Sequence, residues 1–126
     1  MSDKIYSFIG LATKAGKLIS GEDGCERAIK GGKANLVIVA EDASDNTKKA
    51  FNDACKYKNV EIKFFGTKEF LGRYTGKKIR AVVAIIDNGF AKHLIEMLNV
   101  RSQEDGGGQF GKIQGIWTSE RIEYNE

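Results

Sequence analysis

Two apolar runs constrain this chain more than any other feature. NLVIVAED at 35–42 and RAVVAIID at 80–87 place hydrophobic side chains at consecutive positions, with no polar face. Successive residues of a strand point to opposite sides, so such a strand is buried on both. A sheet with strands of this kind must be covered above and below, and the economical cover is helices on both faces.

The remaining segments supply them. Ile5, Phe8, Ile9, Ala12 and Ala15 recur at helical spacing over 3–15, and Gly16 stands where a helix stops. Lys17–Ser20 reads as a short strand, and 21–30 as a helix with Cys25, Ala28 and Ile29 inward. A third helix follows a cap at Ser44 or Asp45, turns Thr47, Ala50, Phe51, Ala54 and Cys55 inward, and closes at Asn59. VEIKFFG at 60–66 reads as a strand. Thr67 caps a short helix with Phe70, Leu71 and Tyr74 inward, ended by Gly76. The last helix spans 88–98, with Ala91, Leu94, Ile95 and Leu98 on its apolar side. The expected fold is an α/β three-layer α/β/α sandwich with a small mixed sheet of about four strands, occupying residues 1–100 as one domain.

The character changes at Arg101. Residues 101–126 open polar and contain three consecutive glycines, which read as a flexible joint. KIQGIWTSERIEY beyond them has strand-like alternation. A flexible extension, a small docked hairpin and a partner-binding tail all fit, and Trp117 would be costly to expose. Residues 1–100 hold 17 basic and 12 acidic side chains, a net of +5, while 101–126 are net negative. A moderately basic domain suits a polyanionic partner without requiring one.

Several classes of chemistry are not written here. No apolar run approaches the roughly 20 residues that span a bilayer, and MSDKIYSF lacks the pattern of an export signal. Cys25 and Cys55 form no CxxC pair, so free thiols in a cytoplasmic protein are expected. There is no GxxxxGK[ST], no GxGxxG after a strand and no GxSxG. His93 is the single histidine and reads as an ordinary helical residue. The adjacent acids Glu22–Asp23 and Glu41–Asp42 point in different directions, so neither pair is an acid–base dyad. No enzymatic activity, metal or cofactor is expected.

Two basic stretches remain. In ISGEDGCERAIKGG, residues 19–32, one reading is a capping box in which Ser20 accepts from the Asp23 N–H and Asp23 reaches back. That leaves unexplained why Lys14, Lys17, Arg27, Lys30 and Lys33 crowd the same stretch. The other reading sets the helix N-terminus against a phosphate backbone, with Gly21 permitting close approach. RYTGKKIR, residues 73–80, is the second stretch. Arg73, Lys77, Lys78 and Arg80 surround Thr75, Gly76 and Ile79, and Ile79 is an apolar residue suited to an unstacked base. Under the nucleic-acid reading, the cations Lys17, Arg27, Lys30, Lys77 and Arg80 share one face. The rival from another class is a protein–protein adaptor on the same fold, with the basic loops incidental.

The segments LATKAGKLISGED, AIKGGKANLVIVAEDAS and FGTKEFLGRYTGKKIRAVVAIIDNGFAKHL, in this order, resemble the kink-turn RNA-binding ribosomal protein family of the L-seven-Ae and L-thirty-e type. The small bacterial YlxQ-like branch is the most similar. The resemblance covers residues 5–98. It implies a monomeric α/β/α domain that clamps structured RNA, either ribosomal RNA or a kink-turn-like internal loop, with the ribosome as a candidate host and no DNA or membrane partner. In the family pattern G-x-N-E-x-x-K, Gly21 matches the glycine and Arg27 stands at the lysine position. Asp23 replaces the asparagine and Gly24 the glutamate. The resemblance thus implies RNA contacts from Ser20, Gly21, Glu22, Asp23 and Arg27 and from the loop Thr75–Arg80.

Overall fold

The computed structural model describes residues 2–106, with side chains from Lys4 to Arg101. Residues 107–126, which hold the rest of the glycine-rich segment and Trp117, lie outside them. Nine elements alternate along the chain: α1 (Ser2–Lys14), β1 (Leu18–Ser20), α2 (Glu22–Lys30), β2 (Leu36–Val39), α3 (Asp45–Lys58), β3 (Glu61–Phe64), α4 (Lys68–Tyr74), β4 (Val82–Ile85) and α5 (Asn88–Gly106). Residues up to Ile95 form one compact unit, and a second begins at Glu96.

The two apolar runs become the central strands. The sheet order is β1-β4-β2-β3, with β4 antiparallel to both neighbours and β2 parallel to β3. Every residue of β2 and β4 is buried, so both faces of these strands are covered. The helices pair as α1 with α4 and α2 with α3. Two covered faces and two helix pairs make the three-layer sandwich that the sequence implies.

Local chemistry sets most boundaries where the sequence puts them. The Ser44 and Thr67 side chains accept from the N–H of Thr47 and Phe70, both at 3.1 Å, and cap α3 and α4. Asn59 closes α3 in the left-handed region at φ 61°. On α1, Ile5, Ile9 and Ala12 are buried, but the helix ends at Lys14 and Ala15 is exposed. Ala50, expected inward, is exposed on α3. The last helix does not stop at residue 98. It continues through Gly106, because RSQED contains neither proline nor glycine and nothing in it breaks a helix.

The face bearing α1 and α4 is closed by aromatic side chains. The Tyr6 ring lies 4.9 Å from Phe65, 5.4 Å from Phe70 and 5.2 Å from Tyr74, centroid to centroid. On the other face, Cys25 of α2 and Cys55 of α3 are free and buried. The Cys25 thiol donates to the Ile19 carbonyl at 3.4 Å. Burial pushes this thiol up to about 12, helped by Cys55 and opposed by Arg80, and burial pushes Cys55 up to about 11.

Both folded values lie above the ordinary 9.0, so the protonated thiols favour the fold below that pH. Their contribution is lost as pH rises through 11 and 12. Native protein is therefore expected to label only slowly with an aromatic disulfide reagent at pH 8, and fully once denatured. Fast labelling of either cysteine in the native state would contradict this packing.

Candidate nucleic-acid interface

Antiparallel pairing of β1 and β4 decides which basic residues meet. Ser20 pairs with Val83, and the Gly21 N–H donates to the Val82 carbonyl at 2.9 Å. The end of β1 therefore lies beside the start of β4, and the Gly21 turn beside the loop that ends at Arg80. At the other end Leu18 pairs with Ile85, and the Ile86 N–H donates to the Lys17 carbonyl.

Gly21 is the N-cap of α2, at φ 96° and ψ 155°. Only glycine occupies that region readily. No side chain caps this helix, so the proposed capping box between Ser20 and Asp23 does not form. Ser20 is otherwise engaged: its Oγ accepts from Arg80 Nε at 3.1 Å. The first bond of α2 runs from the Cys25 N–H to the Gly21 carbonyl, which leaves the N–H groups of Glu22, Asp23 and Gly24 without intrahelical acceptors. Asp23 is exposed, while Glu22 is drawn toward α3, where its carboxylate lies 3.5 Å from the Thr47 hydroxyl. A Cβ on Gly24 would lie 2.8 Å from Ile19 Cγ2, so this position has no room for a longer residue without a shift.

Arg80 joins the two stretches. Its Nε reaches Ser20, its Nη1 donates to the Ile79 carbonyl at 2.8 Å, and its own N–H donates to the Lys68 carbonyl at 3.0 Å. The guanidinium also lies over the turn, with Nε 3.6 Å from where a Gly21 Cβ would stand. Arg80 is thus a brace as well as a charge. Ile79 beside it is 59% exposed, unusual for a large apolar side chain held in a fixed loop. Lys77 and Lys78 are exposed and make no ion pair among the described residues.

Three expected members stand elsewhere. Lys17 lies at the far end of β1, with Nζ 3.9 Å from Asp87. Lys30 occupies the last turn of α2, about 12 Å along the axis from its start, and pairs with Glu26 at 3.3 Å. Lys33 follows it into the loop where the Asn35 N–H meets the Ile85 carbonyl. The five-cation face expected from Lys17, Arg27, Lys30, Lys77 and Arg80 does not assemble, because α2 carries its C-terminus to the opposite end of the sheet. Thr75 is also withdrawn. It is buried, and its hydroxyl donates toward the Leu71 and Gly72 carbonyls at 2.8 and 3.1 Å, ending α4. Lys14 lies at the end of α1, beside α4, and Arg27 is exposed midway along α2.

The sequence did not disclose two supports of this site. Asp42 accepts from the Lys68 N–H at 2.9 Å and so fixes the start of α4 beneath the Arg80 loop. Gly72 lets that loop cross α4: a Cβ there would lie 2.5 Å from the Lys78 carbonyl oxygen and 2.7 Å from the Ile79 nitrogen. Among the described residues, no group of three His, Cys, Asp or Glu side chains could hold a metal ion, and no helix is long and apolar enough to cross a membrane.

Comparison with known proteins adds to this geometry. The family model described as the ribosomal protein L7Ae/L30e/S12e/Gadd45 family matches residues 3–95. The RNA-binding protein YlxQ of Bacillus subtilis (strain 168) is 44% identical over 94 residues, which are 75% of this chain and 94% of that protein. A solved structure of a protein with unknown function from Bacillus halodurans C superimposes with a TM-score of 0.73 at 35% identity, covering 76% of this chain and 97% of the other. The Giardia lamblia 15.5kD RNA binding protein shares the fold, with a TM-score of 0.67 at 24% identity, covering 79% and 88%.

Gly72→Ala tests the support beneath the loop. The new methyl meets backbone rather than a flexible side chain, so loop or helix must move. The expected cost is about 1–3 kcal/mol in denaturant unfolding. A variant as stable as the parent would mean the crossing is not tight.

Proposed function

The chain belongs to the ribosomal protein L7Ae/L30e/S12e/Gadd45 family, and on that premise we propose that it is a non-enzymatic RNA-binding protein that clamps a bent internal loop of structured RNA. The observation that carries this reading is the Arg80 brace, which holds the open N-terminus of α2 and the exposed Ile79 side by side.

Each part has a role in that complex. Gly21 lets the RNA backbone approach the free N–H groups of α2. Lys77, Lys78 and Arg27 neutralise phosphates, which positions the RNA without reading its sequence. Ile79 packs against a base extruded from the stack, as single-stranded and looped RNA offers and duplex does not. Arg80 orients Ile79 and the Gly21 turn together. The target class is a kink-turn-like loop, in ribosomal or regulatory RNA. The name of the Bacillus subtilis relative, an RNA-binding protein, supports the partner class.

Asp23 sets the limit on affinity. A carboxylate accepts hydrogen bonds but cannot donate, and nearby phosphates repel it. Because no capping box depends on Asp23, its replacement by the isosteric amide should leave the fold intact.

One titration series tests the proposal, using a generic kink-turn RNA and a fully paired RNA duplex of the same length. The kink-turn is expected to bind more tightly. Asp23→Asn is expected to tighten it by about 1 kcal/mol, roughly fivefold. Lys77→Ala is expected to weaken both RNAs by a similar factor, and the parent's log K should fall against log[salt] with a slope of about −2 to −3 for three phosphate contacts. Equal binding of kink-turn and duplex would refute the bent-loop target. Weaker binding by Asp23→Asn would mean that the carboxylate accepts from a base edge.

A further inference from the structure

A groove separates the C-terminal ends of α1 and α4. Its volume is about 550 Å³, within the range of small-molecule and nucleotide sites. Gly10, Leu11 and Lys14 form one wall, and Arg73, Tyr74 and Gly76 the other. Gly10 brings the helices close: a Cβ there would lie 3.4 Å from the Tyr74 carbonyl oxygen. Leu11, in the last turn of α1, is 52% exposed. The core does not use it, and Tyr74 gives the opposite wall an aromatic ring.

The charge of the groove is one-sided. Lys14 and Arg73 line it, and among the described residues no carboxylate does. Arg73 is partly engaged, with Nη2 3.3 Å from Glu69 and its guanidinium 5.0 Å from the Phe70 centroid. Lys14 is exposed and makes no hydrogen bond or ion pair among the described residues, so its charge is free for a partner. The groove also continues the RNA face. Gly76 is followed directly by Lys77, Lys78 and Ile79, and the loop runs back over Gly72 to Arg80.

We propose that this groove takes the single-stranded RNA segment flanking the bent loop, with a base against Leu11 and Tyr74 and a phosphate at Lys14. This rests on the RNA-binding reading above and extends its footprint from the sheet edge onto the α1–α4 face. A cationic groove with an aromatic ring in its wall is the usual design for holding single strands, and stacking on that ring tolerates any base. The segment therefore adds affinity without sequence preference.

The test uses the full chain and a kink-turn RNA in three forms: unextended, and carrying six unpaired uridines at either the 5′ or the 3′ end. One extension is expected to tighten binding by about fivefold. Lys14→Glu and Leu11→Ser, both exposed and checked for folding by thermal melts, should each remove most of that gain. Neither should change affinity for the unextended RNA by more than about twofold. An extension that adds nothing, or a gain that survives in both variants, overturns the proposal while leaving the braced face standing; the groove would then suit an acidic peptide better than RNA. Failure of all three RNAs to bind would overturn both readings.

Discussion

The pairing of β1 with β4 is the constraint on which the rest of the structure depends. Three residues of β1 align with three of β4, and that short ladder brings Ser20 within 3.1 Å of Arg80, sixty positions away in the chain. Without it, the Gly21 turn and the Lys77–Arg80 loop would be two unrelated surface features. The ladder is secure because β4 is central, bonded to β2 on its other side and buried on both faces. Its Val82, Val83 and Ile85 side chains each gain roughly 1.5–3 kcal/mol from burial, which anchors the strand that follows Arg80.

The bodies of the central strands build the core, and the candidate interface lies at one end of the sheet. β2 and β4 are uniformly apolar and carry no polar chemistry. What they do is point their ends at one edge, where the turns before α2, α3 and α4 meet the approach to β4. Small devices then shape that edge: a glycine at positive φ, an arginine brace, a carboxylate capping α4 and a glycine that lets one loop cross a helix. Together they hold an exposed isoleucine and an uncapped helix start in a fixed relation, which spares a partner the entropic cost of ordering them.

Much of the fold could be read from the chain because its signals are local. The double-sided strands, the Ser44 and Thr67 caps and the Asn59 stop each depend on a few neighbouring residues. The end of α5 is not legible, since RSQED is polar like a loop but holds nothing that stops a helix. The site was legible only in part. Gly21, Lys77, Ile79 and Arg80 stand together, but Lys17, Lys30 and Lys33 do not join them. Crowding along the sequence does not imply crowding in space when a helix carries its C-terminus across the sheet. Ser20 looked like a cap, and its true partner could be found only by knowing the strand register. Gly72 gave no signal at all, because its reason is a backbone crossing from a loop six residues later. The resemblance to a known family supplied what periodicity could not, namely which of several basic loops to consider together.

The central claim is that one RNA contacts the Gly21 turn and the Ile79 loop at the same time. Amide chemical shifts of isotope-labelled protein, followed while a kink-turn RNA is added, test it most directly. The account predicts that the amides of Gly21–Asp23 and Lys77–Arg80 move together along one binding curve, while those of Gly31–Asn35 at the opposite end of the sheet stay in place. Shifts centred on Gly31–Asn35, with the braced loops unmoved, would contradict it.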